Sequence, residues 1–197
     1  MPPISTHLHF GKKLIENSTD EVDIRCFILG MVSPDTYDDD TFEEIHNLDE
    51  DGNLDIREFY EQFDFKKLNL QEKSYVLGYY CYLWFDEYYK FNASKLKINN
   101  YYDLPDNELA IAIKDLFRFY DSKAIGSFYD GIIRDINSYK LNINLKEIKN
   151  INIQKVKDKL LEYSKEKVPN EVYSYLINED KYMNFIQKGC SKIVKSL

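Results

Sequence analysis

The sequence predicts an all-α protein folded as a single multi-helix domain, and three observations carry that expectation. Glycine and proline are scarce, at 7 and 5 of 197 residues. Strand-like alternation of apolar and polar residues is weak. From Gln71 to Phe91 the apolar residues lie almost all round a helix, the pattern of a central element. Hydrophobic residues make up 44% and aromatics 15%, enough to bury a core, so disorder is not expected for most of the length.

The elements follow in order. Thr6 is placed to cap a first helix running to about Glu16. Asn17-Ser18-Thr19-Asp20 breaks the chain, and Thr19 or Asp20 caps a second helix that carries Val22, Cys26, Phe27 and Leu29 and ends near Gly30. Ser33-Pro34-Asp35 reads as a turn, because proline restricts the residue before it and lacks an N–H. A short helix is expected from Asp40 to His46, then a turn over Asp49–Asn53 and a helix from Asp55 to Phe63. The long central helix covers Gln71 to Phe91. Pro105 fits the first turn of a helix continuing through Leu116 and Tyr120. A further helix is expected from Ser122 to Tyr139, then an irregular Asn-rich stretch from Leu141 to Ile153. Helices from Gln154 to Lys167 and from Glu179 to Ser196, separated by Pro169, close the chain. Residues 1–197 form one domain on this reading, 1–139 as the core and 140–197 as C-terminal helices.

Charge is uneven. Residues 1–65 hold 17 acids against 4 bases, and residues 66–197 hold 17 acids against 22 bases, for a net charge of −8. An acidic N-terminal third repels phosphate backbones, so no nucleic-acid partner is expected, and it suits cation binding. Cys26, Cys81 and Cys190 are odd in number and widely spaced, which indicates buried thiols rather than a disulfide framework. No signal-peptide pattern opens the chain, and no run reaches the ~18 apolar residues of a transmembrane helix. The cytoplasm is the expected location.

Only three histidines occur: His7, His9 and His46. His7 falls in the first turn of the first helix, Asp35 follows a proline after the second, and His46 ends a short helix. Asp86 lies inside the long apolar helix, where a carboxylate is costly unless paired or metal-bound. Tyr82 stands one turn before it on the same face. Two imidazoles and two carboxylates drawn from separate helices suit zinc, with iron or manganese as further candidates. His9 reads as a surface or packing residue.

The order of these segments resembles the zinc-dependent phospholipase C family, in its small bacterial intracellular hydrolase branch. The matching pieces are Met1-Pro2 with Thr6-His7 and Phe10-Gly11, then Phe27-Ile28-Leu29-Gly30 leading to Pro34-Asp35, and His46. Leu54-Asp55-Ile56 leads to Phe59, and Leu77-Gly78-Tyr79 leads to Asp86. The resemblance covers roughly residues 1–90 and implies an all-helical, phospholipase C-like fold. It implies that His7, Asp35, His46 and Asp86 are metal ligands, and that a phosphoester or phospholipid headgroup-like molecule is the substrate. Metal-bound water would be the nucleophile. Family members carry a histidine one turn before the helix aspartate. Here Tyr82 takes that place, a degenerate ligand position, and no histidine follows His46. A full three-zinc site cannot therefore be assembled.

A second metal signature overlaps the first. Asn47 to Glu58 resembles an EF-hand loop, with oxygen donors at Asn47, Asp49, Asp51, Asn53, Asp55 and Glu58 and with Gly52 at the sharp turn. A single loop, a short entering helix and an apolar register that misses the usual stripe argue against a true EF-hand domain. Calcium there would fix the turn that presents His46. Two functions follow: a metal-dependent hydrolase of phosphoesters, or a non-catalytic helical protein holding calcium for structure or partner recognition. No G-x-S-x-G, phosphate-binding loop, dinucleotide fingerprint or CxxC is present.

Overall fold

The computed structural model describes residues 1–36, 56–100, 102–148, 152–169 and 172–195. The expected helix from Asp40 to His46, the expected turn over Asp49–Asn53, the expected ligand His46 and the expected calcium-loop residues Asn47, Asp49, Asp51, Asn53 and Asp55 lie outside the described residues. Every regular element among the described residues is helical: α1 Ile4–Asn17, α2 Ile24–Val32, α3 Ile56–Glu61, α4 Leu70–Asn92, α5 Asp106–Ile125, α6 Asp130–Arg134, α7 Ile153–Lys165 and α8 Glu179–Ile193. Short 3-10 turns follow α2 and α4, at Ser33–Thr36 and Ala93–Leu96. No helix among them is long and apolar enough to cross a membrane.

The crossing of α2 and α4 is the tightest feature of the fold. A Cβ on Gly30 would land on the Tyr75 carbonyl, and a Cβ on Gly78 would land on the Phe27 carbonyl. The two glycines therefore let the helix backbones touch, which no larger residue permits. Helix α4 is the central element expected from its apolar pattern, burying Tyr75, Val76, Tyr79, Tyr82 and Phe85 among others. Its start is fixed by a capping box: the Asn69 side chain accepts from the Glu72 N–H, and Glu72 accepts from the Asn69 N–H at 2.9 Å. Such a box contributes about 1 kcal/mol.

Several boundaries differ from the sequence expectation. Helix α1 starts at Ile4, with Pro3 in the cap position and no side-chain cap. Thr6 does not cap it, because its hydroxyl donates instead to Asp121, 115 positions away. Asp23, not Thr19 or Asp20, caps α2, accepting from the N–H groups of Arg25 and Cys26 at 3.1 Å. Helix α2 runs through Gly30 to Val32. Pro34 then has no N–H to donate, and the chain tightens into the 3-10 turn while the Ser33 hydroxyl donates back to the Leu29 carbonyl at 2.7 Å.

The helix expected from Ser122 to Tyr139 does not form as one piece. Helix α5 continues to Ile125, and Gly126 ends it at a φ of 55° that favours glycine. Only the short α6 follows. From Leu141 to Ile148 the chain is irregular as expected, and Ile153 already opens α7. The irregular stretch lies along the start of α4, where the Asn142 and Asn144 N–H groups donate to Gln71 and Glu72. All three cysteines are buried and free. Burial pushes the thiol of Cys26 up to about 11 and that of Cys190 up to about 12, so neither is a reactive nucleophile at neutral pH.

Candidate metal centre

Two of the four expected ligands, His7 and Asp86, meet at one corner of the fold, and a third, Asp35, lies near them. Helix α1 supplies His7, the 3-10 turn after α2 supplies Asp35, and α4 supplies Asp86 with Tyr82 one turn before it. The geometry follows from the glycine crossing. Gly78, Tyr82 and Asp86 lie at successive turns on one stripe of α4, and that stripe runs from the α2 contact toward the turn that carries Asp35.

His7 is fully buried, and its Nε2 lies 3.3 Å from Asp86 Oδ1. Its ring stacks on Tyr82, with centroids 4.0 Å apart and planes 20° from parallel, and it meets the edge of Phe85. The Tyr82 hydroxyl donates to Asp35 Oδ1 at 2.9 Å. Beyond that bond the corner is short of hydrogen bonding. Neither ring nitrogen of His7, nor Asp35 Oδ2, nor Asp86 Oδ1 has a hydrogen-bond partner among the described residues, although all four atoms are buried. His7 Nε2 and Asp86 Oδ1 face each other as an ion-pair contact, whereas His7 Nδ1 and Asp35 Oδ2 have neither, and buried polar atoms are rarely left so.

The donor chemistry fits a transition metal. A tetrahedral zinc about 2.0–2.2 Å from a nitrogen and an oxygen sets those donors roughly 3.4 Å apart, and His7 Nε2 and Asp86 Oδ1 stand at that separation. Among the described residues, no three His, Cys, Asp or Glu side chains are grouped so as to hold one ion. Asp35 is near enough for the charges of His7 and Asp86 to act on it, but it is turned toward Tyr82. Burial raises the pKa of its carboxyl above the usual range, against the lowering influence of His7 and of the Tyr82 hydrogen bond. Of the calcium-loop residues only Glu58 is described. It lies in the first turn of α3, on an exposed position.

A second polar cluster was not foreseen in the sequence. Asp121 is fully buried and accepts from Ser5 and Thr6 at 2.8 Å, from Tyr182 at 2.7 Å and from His9 Nδ1 at 2.9 Å. A carboxylate only accepts, so His9 carries its hydrogen on Nδ1. His9 is therefore a packing residue bonded within the core, not a surface one. The cluster ties the start of α1 to α5 and α8, and His7 sits between Thr6 and His9 on the anchored turn. Asp121 lies one residue past the apolar Tyr120, where its place in an exposed-looking Tyr-Asp-Ser string gave no hint of burial.

A cavity of about 540 Å³ opens beside the site, between the start of α1, Asp35 and side chains of α5 and α7. Asp35 lines it, whereas His7 and Asp86 do not. No protein-family model matches the chain, and no curated protein or solved structure matches it either.

Proposed function

We propose that the protein is a metal-dependent hydrolase of phosphoesters, with His7 and Asp86 as the first pair of metal ligands and Asp35 beside them. The observation that supports this reading is the buried approach of His7 Nε2 to Asp86 Oδ1 at 3.3 Å, with His7 Nδ1 and Asp35 Oδ2 buried beside it without a hydrogen-bond partner among the described residues. A zinc, iron or manganese ion held there would supply an activated water and polarise a phosphoryl oxygen. His46, the fourth ligand implied by the phospholipase C resemblance, would complete the set.

The remaining roles belong to the chain's own side chains. Tyr82 holds Asp35 through its hydroxyl and backs His7 with its ring, the supporting contacts that fix ligand orientation in metal sites. Asp121 anchors the turn of α1 that presents His7. Asp35 connects the buried donors to the cavity, so a substrate in the cavity would meet the site at that carboxylate.

The test is hydrolysis of p-nitrophenyl phosphate and bis-p-nitrophenyl phosphate by zinc-, iron- or manganese-loaded protein. Turnover that disappears in Asp86→Asn, with the fold intact by circular dichroism, is the expected result. Turnover unaffected by Asp86→Asn, or absent with every metal, would remove the assignment.

A further inference from the structure

The end of α4 and the chain after it lie against α8 and the residues before it. Tyr88 packs on Phe185 with ring centroids 4.9 Å apart, and its hydroxyl donates to the Phe185 carbonyl at 3.3 Å. The Asn99 N–H donates to the Leu176 carbonyl at 2.9 Å, and the rings of Tyr102 and Tyr175 meet edge to face. These adjoining segments concentrate positive charge in a chain whose net charge is −8. Residues 88–102 hold Lys90, Lys95 and Lys97 and no acid. Residues 181–197 hold Lys181, Lys188, Lys192 and Lys195 and no acid. Those four recur at helical spacing, and Val194 continues α8 in helical conformation, so they share one face. That face borders α4, because Lys192 Nζ lies 5.5 Å from the centroid of the Tyr88 ring. All seven lysines are exposed. The lysines that form ion pairs among the described residues, Lys12, Lys13, Lys67 and Lys123, belong to other parts of the fold. The acids at the margins are Glu87, Asp103, Glu179 and Asp180, of which Glu179 is paired with Lys123.

Apolar side chains stand out among these lysines. Of the nine large hydrophobic residues exposed among the described residues, five belong to residues 88–102 and 172–195: Phe91, Ile98, Tyr102, Tyr173 and Val194. Phe91 is 66% exposed and Tyr102 73%. We propose that this basic, aromatic face docks on a bilayer surface rich in anionic lipid, with its lysines among the headgroups and Phe91, Ile98 and Tyr102 reaching toward the acyl chains. Charge complementarity and the apolar residues act together. Lysines close to an anionic leaflet each add attraction, and side chains with an apolar body and a wet end suit the interface. The rest of the chain is strongly acidic and is repelled, which fixes the orientation of the molecule on the surface. A single-stranded nucleic acid fits this face less well, because bases need open ring faces on which to stack. Here Tyr102 and Tyr173 meet Tyr175 edge to face, Lys90 lies over the Phe91 ring, and Ile98 and Val194 offer no ring. The proposal does not rest on the hydrolase reading.

The experiment is co-sedimentation with vesicles of phosphatidylcholine alone and of phosphatidylcholine mixed with phosphatidylglycerol, at low salt. Wild type is compared with Lys188→Gln/Lys192→Gln and with Phe91→Ser. The control is Lys66→Gln/Lys73→Gln, which removes the same charge near the opposite end of α4. All these positions are exposed, so their replacement leaves the core untouched. Wild type is expected to bind the mixed vesicles and not phosphatidylcholine alone. Lys188→Gln/Lys192→Gln should lose about tenfold or more in affinity, and Phe91→Ser about threefold or more. The control should change by less than about twofold, since its lysines lie away from the surface. No binding to the mixed vesicles, or equal losses in the two double variants, overturns the proposal. An unchanged affinity in Phe91→Ser overturns the apolar contact with the bilayer. Binding to a single-stranded oligonucleotide with the same lysine dependence, and none to vesicles, overturns the lipid assignment.

Discussion

Tyr82 donates its hydroxyl hydrogen to Asp35 Oδ1 at 2.9 Å while its ring lies flat against His7, so one side chain touches two of the proposed ligands. On the proposed reading this side chain supports the ligands rather than being one. Tyr82→Phe keeps the stack and removes the hydrogen bond. It is expected to lower metal affinity by about 10–100-fold, the usual effect of losing such a support, at a cost of ~1 kcal/mol in stability. Competition against a chromogenic chelator measures the first and urea unfolding the second. An unchanged metal affinity would make Tyr82 a packing residue only.

The glycine crossing sets the position of Tyr82 and Asp86 relative to Asp35. Gly78→Ala places a methyl group against the Phe27 carbonyl, and backbone cannot rotate away as a side chain can. A loss of about 3 kcal/mol or more is expected, at the upper end for overpacking. Gly131→Ala, where an added Cβ meets nothing within 4 Å, is the control and should change stability by less than ~1 kcal/mol. Urea titration of both variants decides it.

Removing Asp121 takes one acceptor from four buried donors at once, and only Thr6 and Tyr182 keep each other as partners. Asp121→Ala is expected to cost about 3–5 kcal/mol, the range for breaking a buried charged network. Where the variant still folds, metal uptake should fall as well, because the first turn of α1 loses its anchor to α5 and α8. Stability like that of wild type would show that the cluster is dispensable.

Asp35 gives the metal-free protein a pH dependence of known sign. Its folded pKa is raised, chiefly by burial, so the folded state binds a proton that the unfolded state has already released. Stability from this group is complete below the unfolded pKa of about 3.9 and is lost as pH rises through the raised folded value. Asp35→Asn should therefore melt higher than metal-free wild type at neutral pH, by about 2–4 °C, and the gap should close on acidification. Thermal melts of both proteins in EDTA across mildly acidic to neutral pH test this; a gap that widens on acidification would reverse the sign.

Much of the fold was legible because burial imposes periodicity. The apolar surround of Gln71 to Phe91 locates α4 to within a residue or two, and Asp86 stands out there because a carboxylate in such a helix needs a reason. The Ser122 to Tyr139 helix was misread because apolar spacing continues across Gly126, whose positive φ is a property of backbone and not of pattern. The approach of His7 to Asp86 was suggested by residue type and by the order of the segments, and Asp35 lies near them bonded to Tyr82. The Asp121 cluster was invisible, since Asp121 is 112–116 positions from its partners on α1 and 61 from Tyr182, and each member is an ordinary polar residue in its own neighbourhood.

The most direct measurement is metal content by elemental mass spectrometry on wild type and Asp86→Asn, as purified and after zinc reconstitution and dialysis. Asp86→Asn keeps the shape of the side chain but removes the charge that faces His7 Nε2 at 3.3 Å. The account predicts near-stoichiometric zinc, iron or manganese in wild type and its loss in the variant, with identical circular dichroism. A wild type that retains none of these metals, or a variant that retains them in full, would contradict it.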